Sequence, residues 1–150
     1  MSLSVRQLRN RATSLAVGVA CLSTAAIGLA PSAQAANIDK WSSFWQPCGT
    51  YMCLYYHQGL TGASWTPTWS SDTDLGGNKF GDHGTGSDGA GQVVRNNAAS
   101  MGNNTTNCRV ATFVYTNFQG DNNWLTAGHA GNLNSSLSNN EASIRVDTCT

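Results

Sequence analysis

The apolar positions of this chain come in short bursts rather than helical stripes. Arg109-Val110-Ala111-Thr112-Phe113-Val114-Tyr115 is the clearest, a run of β-branched and aromatic residues bounded by Asn107 and Asn117, and it predicts a strand. Ser143-Ile144-Arg145-Val146 alternates polar and apolar, the period of a strand with one buried face. Runs at 52–57 and 93–99 complete the expected strands. No segment past residue 35 sustains a helical apolar period. Residues 36–150 hold one Glu and two Lys against 14 Gly and 14 Asn. That composition predicts an all-β domain of short strands joined by many turns.

The amino end reads differently. Arg6, Arg9 and Arg11 precede a mildly apolar run over 12–30, Pro31 breaks it, and Ala33-Gln34-Ala35 places small residues at the −3 and −1 positions of a cleavage site. Residues 1–35 are therefore read as a secretory signal peptide cut between Ala35 and Ala36, giving a secreted, extracellular product. Thr13, Ser14, Ser23 and Thr24 interrupt the run, which disfavours a membrane anchor. Residues 36–150 are expected to form one monomeric domain.

Setting the leader aside changes two counts. The formal charge, zero for the whole chain, becomes −3, from five basic and eight acidic residues. A weakly acidic domain without a basic patch argues against nucleic acid and anionic membranes as partners. Cys21 also leaves, so that Cys48, Cys53, Cys108 and Cys149 remain, an even number that predicts two disulfides in an exported chain. Three connectivities are open. Proximity favours Cys48–Cys53. Cys108–Cys149 is favoured because antiparallel strands through Arg109 and Arg145, placed at a sheet edge, would bring both cysteines to one end. Export and spacing disfavour zinc on these cysteines.

The chain also spells nearly one word twice: Asn96-Asn97-Ala98-Ala99-Ser100 and Asn139-Asn140-Glu141-Ala142-Ser143. Each follows an aromatic run and a Gly-containing turn, Leu54-Tyr55-Tyr56 with Gly59 and Gly62 in one half, Phe113-Val114-Tyr115 with Gly120 in the other. The first half carries about 16 extra residues, placed at 76–91 and rich in Gly, which predicts a mobile loop outside the core. Two motifs follow, about 48–103 and 108–149.

This layout resembles the βγ-crystallin fold, and specifically the bacterial secreted metalloproteinase-inhibitor family that has it. The resemblance rests on Cys48 and Cys53-Leu54-Tyr55-Tyr56, on 89–100, on Val114-Tyr115-Thr116-Asn117-Phe118-Gln119-Gly120, and on Asn139–Ser143. It implies a disulfide-braced sandwich of two Greek-key motifs whose partner is an extracellular protease, most plainly a metalloprotease. In such an inhibitor the contact is expected from Asp82, His83 and Asp88 on the Gly-rich loop. Calcium-binding members of the wider group use a six-place word of Asn or Asp twice, two variable residues, Ser or Thr, then Ser. By that likeness Asn96, Asn97 and Ser100, with Asn139, Asn140 and Ser143, are candidate calcium residues. Met101 and Ile144 stand at the sixth places, and only Glu141 among the ten residues is a carboxylate. Calcium takes six to eight oxygens, usually with carboxylates among them. The words are therefore favoured as structural corners, in which Asn turns the chain and Ser caps the turn. No cofactor is required, and calcium is an optional ligand.

Catalytic chemistry finds little support. Thr126-Ala127-Gly128-His129 looks like the histidine word of chymotrypsin-like proteases, but no Gly-Asp-Ser-Gly follows it, and Thr85-Gly86-Ser87-Asp88-Gly89 misses the nucleophile elbow at Thr85. His57, His83 and His129 lack metalloprotease spacing. The chain is read as no enzyme. Trp41, Trp45, Trp65, Trp69 and Trp124 are many for a domain this small. Buried, they fill a core; exposed, they stack on sugar rings. Packing is favoured. The second function class is accordingly an extracellular module that binds cell-wall polysaccharide or calcium, of a killer-toxin-like kind.

Overall fold

The most apolar burst becomes the middle of a sheet. The computed structural model describes residues 33–42, 51–68, 70–84 and 86–150, with the backbone alone at 82–84. The leader over 1–32, Trp45, Trp69 and the Cys48–Cys53 pairing, through Cys48, lie outside the described residues. Among those described, ten strands form: β1 (Ala35–Asn37), β2 (Met52–Tyr55), β3 (Ala63–Trp65), β4 (Ser71–Asp72), β5 (Gly81–Gly84), β6 (Ser100–Asn103), β7 (Cys108–Tyr115), β8 (Gln119–Leu125), β9 (Ala130–Asn132) and β10 (Ser143–Cys149). Two single 3-10 turns, Leu75–Gly77 and Thr116–Phe118, are the only helical elements described.

The strands lie in two sheets, ordered β1-β8-β7-β10-β4 and β5-β3-β2-β6-β9. Set aside the flanking β1 and β5, and the sheets are built alike. Each half of the chain lays three of its strands side by side, β3-β2-β6 or β8-β7-β10. Each sends its third strand, β4 or β9, to the edge of the other half's sheet. The two Greek keys are interlocked by this exchange, so neither half holds a complete sheet alone.

Three sequence expectations are corrected. β7 and β10 do pair antiparallel, with Ile144 opposite Thr112 and Cys149 opposite Cys108, and a disulfide joins Cys108 to Cys149. The pair is interior, not at a sheet edge, because β8 and β4 flank it. The strand expected over 93–99 does not form; a single bridge, Lys79 to Val93, stands there. Asn96 is left-handed at φ 62°, and the Asn97 amide donates to the Val93 and Arg95 carbonyls at 3.0 and 3.3 Å. A strand cannot pass through a turn closed in this way.

The third correction concerns 76–91, part of which belongs to the core rather than to a loop outside it. Phe80 is 2% exposed within the core. Its N–H donates to the Gln92 carbonyl at 2.9 Å, and its carbonyl accepts from Gly91 N–H at 2.8 Å. Gly89, at φ +90°, lies under the Tyr56 ring, where a Cβ would stand 2.2 Å from Tyr56 Cγ. Glycine serves close backbone approach here.

Between the sheets Met52, Leu54, Leu75, Phe80, Val94, Met101, Val110, Leu125, Leu137 and Ile144 make one apolar core. Alternation along β2 sends Cys53 and Tyr55 to the opposite face, where Ala130, Trp41 and Leu60 cover them. The N-terminal segment closes the sandwich. β1 runs parallel to β8, pairing Ala35 with Asn122, and a few residues later Trp41 bridges to Ala130 at the edge of the other sheet. Gln34 also accepts from Asn122 N–H at 2.9 Å, so backbone pairing with β8 is present on both sides of the cleavage point expected after Ala35.

Candidate functional site

The repeated words meet. Asn96 N–H donates to the Glu141 carbonyl at 2.9 Å, and Asn139 N–H donates to the Ala98 carbonyl at 2.8 Å. The first place of each word thus bonds the third place of the other. Both first-place asparagines are left-handed, Asn96 at φ 62° and Asn139 at φ 58°, a conformation Asn tolerates better than most side chains. Both second-place amides close their own turns, Asn97 on Val93 at 3.0 Å and Asn140 on Ser136 at 2.9 Å.

The serines hold the folded hairpins. The Ser100 hydroxyl donates to the His57 carbonyl at 2.6 Å and accepts from Leu60 N–H at 3.1 Å. The Ser143 hydroxyl donates to the Tyr115 carbonyl at 2.6 Å and accepts from Phe118 N–H at 3.0 Å. Leu60 and Phe118, each at φ 62°, are bulky residues in a costly conformation. The same serine contact supports each.

One residue breaks the symmetry. Glu141 stands where the other word has Ala98, and it is fully buried. Its Oε1 accepts from Asn97 and Ala98 N–H at 3.0 and 2.8 Å, and its Oε2 accepts from Asn140 N–H at 3.1 Å. Burial pushes this carboxyl up to about 7, against backbone N–H groups that pull it down. These donors do not fit a tight calcium site. The one carboxylate of the two words is turned into the corner and committed to N–H groups, and both serine hydroxyls are committed to hairpins. Among the described residues no three His, Cys, Asp or Glu side chains come together in a group that could hold a metal ion.

The residues expected on a protruding loop are split. Asp82 and His83 lie on β5, at the outer edge of its sheet. Asp88 lies back against the sandwich. Its carboxylate meets His57 Nε2 at 2.6 Å, and its carbonyl accepts from Ala63 N–H at 2.8 Å. His129 is half-buried, with Nδ1 at 2.9 Å from the Ala127 carbonyl.

A further cluster, not anticipated from sequence, covers the outer face of the β8-β7-β10 sheet. The Arg109 guanidinium lies 4.9 Å from the Trp124 ring centre, and that of Arg145 lies 5.0 Å from Phe113 and 5.3 Å from Phe118. Asp147 bridges the two, bonded to Arg109 Nη2 and, at 2.8 Å, to Arg145 Nη2. Burial pulls the Asp147 carboxyl up, but the bonds and charge of both arginines outweigh it and leave it below the usual carboxylate range. The signal for this cluster was period-two alternation, which puts Arg109, Arg145 and Asp147 on one face once β7 and β10 are in register.

No protein-family model matches the sequence, and no curated protein matches it. Solved structures do. The chain is similar to a structure from a study of the evolution of the eye lens βγ-crystallin domain fold, with a TM-score of 0.53 and 18% identity over 71% of this chain and 94% of that one. It is also similar to the N-terminal domain of protein S, with a TM-score of 0.48 and 18% identity over 65% of this chain and 96% of that one. At such identity the first likeness shows the fold alone, a βγ-crystallin-like domain. Neither carries the metalloproteinase-inhibitor resemblance further.

Proposed function

We propose that this chain is a secreted, non-catalytic inhibitor of extracellular proteases, metalloproteases foremost, that works by presenting β5 to the substrate cleft. The observation that carries this reading is the position of β5. It is the outermost strand of its sheet, so one side of its backbone faces no other strand among the described residues. Protease clefts take extended chains by main-chain pairing, and an exposed edge strand supplies that geometry already ordered. Asp82 and His83 sit on this strand, within a two-residue irregularity of its pairing with β3, where Ala63 pairs with Gly84 and Ser64 with Gly81, and such bulges are characteristic of sheet edges. The bond between His57 and Asp88 fixes the return of the segment.

The test is titration of a thermolysin-type protease with the secreted chain. Inhibition should saturate near one chain per enzyme. The double change Asp82→Ala with His83→Ala should weaken it by about tenfold or more, as loss of central contacts does, while leaving the melting temperature unchanged. Deleting the whole segment would be uninformative, since Phe80 is core. No inhibition, or inhibition indifferent to these two residues, would refute the reading.

The polysaccharide-binding reading has its own support in a cleft beside Trp124.

A further inference from the structure

We propose that the cleft at the disulfide end of the β8-β7-β10 sheet binds a neutral saccharide. The cleft, about 390 Å³, is walled by Trp124 from β8, Arg109 from β7, Thr106 and Asn107 from the preceding turn, and Thr148 and Thr150 from the end of the chain. Its size lies within the range of small-ligand sites. The proposal stands apart from protease inhibition, which was placed on β5 in the other sheet.

The walls are set before any ligand arrives. The Cys108–Cys149 disulfide ties the two sides. Thr150 N–H donates to the Asn107 carbonyl at 3.0 Å, and the Asn107 amide donates to the Thr150 carbonyl at 3.0 Å. The Arg109 guanidinium is held between the Trp124 ring and Asp147. A preordered site loses less free energy in binding than one that must be assembled.

The chemistry selects the ligand. Trp124 is half-buried, so part of a large apolar ring remains for stacking. Its indole N–H and the hydroxyls of Thr106 and Thr148 have no hydrogen-bond partner among the described residues. Thr126 differs, because its hydroxyl is taken by Asp39 at 2.6 Å. An apolar patch fringed by unpaired neutral hydrogen-bonding groups matches a sugar ring, which has an apolar face and a rim of hydroxyls. An anionic ligand would have to compete with Asp147, which already holds the Arg109 guanidinium. An extended peptide would need a free strand edge, and β7 is paired on both sides. A wholly apolar ligand would strip water from the hydroxyls without replacing it, which is costly.

The full secreted chain should be titrated with cellohexaose and chitohexaose, two neutral oligosaccharides, with a sulfated heparin hexasaccharide as the charged comparison, read by calorimetry and tryptophan fluorescence. At least one neutral oligosaccharide should bind and quench or shift the fluorescence. Trp124→Ala should weaken that binding by about tenfold. Because Trp124 also packs on Arg109 and its loss could unsettle the fold, the double change Thr106→Val with Thr148→Val provides a second arm. Both sites are exposed, so the melting temperature should hold while affinity falls several-fold. Protease inhibition should be the same in all variants. The proposal is overturned if neither neutral oligosaccharide binds at millimolar concentration, if the threonine variant binds as the parent does, or if the sulfated hexasaccharide binds more tightly than both neutral ones.

Discussion

Glu141 is the only glutamate in the chain, and it sits with its carboxyl sealed inside the corner where two halves of the molecule meet. Its elevated titration, to about 7 from the ordinary 4.5, has a definite consequence for stability. A group whose folded value is raised binds its proton more tightly when folded. Its stabilising contribution is complete below the unfolded value near 4.5 and is lost as pH rises through about 7, a swing of up to roughly 3 kcal/mol. Asp147 runs the opposite way, since its folded value is lowered. Its contribution is present above the unfolded value and lost only in stronger acid, so it is constant through the Glu141 window. Glu141→Gln should therefore flatten the stability profile in that window, as followed by chemical denaturation at a series of pH values. The two serines make a matched pair of tests. Ser100→Ala and Ser143→Ala each remove the hydroxyl that ties a carbonyl to an N–H across a part-buried hairpin, which should cost about 1 kcal/mol. The symmetry of their contacts predicts that the two losses agree closely. A large loss at one and none at the other would break the equivalence of the halves.

At the scale of elements, two devices carry predictions. Opening the Cys108–Cys149 bridge, which spans 41 residues, should remove about 4 kcal/mol on the chain-entropy account. Comparing Cys149→Ser with the parent under oxidising conditions measures it. Gly89→Ala should be severe, since Tyr56 lies where the new methyl would go, whereas the nearby Gly91→Ala adds a side chain into open space and meets only the backbone cost of φ +82°. The larger loss belongs to Gly89; melting temperatures of the two variants decide. These elements were legible in the sequence to unequal degrees. β2, β7 and β10 were foreseen because they are apolar and alternating. β4, with Ser71 and Asp72, and β9, with Ala130, Gly131 and Asn132, have no such signature, because they are made strands by the neighbouring sheet rather than by their own residues. β8 begins Gln-Gly-Asp-Asn-Asn and hides likewise. The glycine count over 76–91 misled for a related reason. Composition records glycine but not whether it serves flexibility or a ring packed against the backbone.

The described residues form two Greek keys that each complete the other. Exchange of β4 and β9 joins the sheets at their edges, and the repeated words join them again at the corner, where each first-place N–H meets the partner word. The repeat itself was visible in the sequence. The mutual pairing was not, since nothing in either word alone indicates that the other lies against it; the one clue was a Glu where the matching word has Ala. A calcium-binding reading of these words predicts a different molecule, one that gains stability from the ion. The direct measurement is thermal melting of the full chain from pH 4.5 to 7, with and without millimolar calcium, beside Glu141→Gln. The margin of the parent over the variant should shrink steadily as pH rises, with no shift from calcium at any pH. A melting temperature that climbs with calcium, as a ligand bound by the native state alone requires, or a margin that grows with pH, would contradict the account.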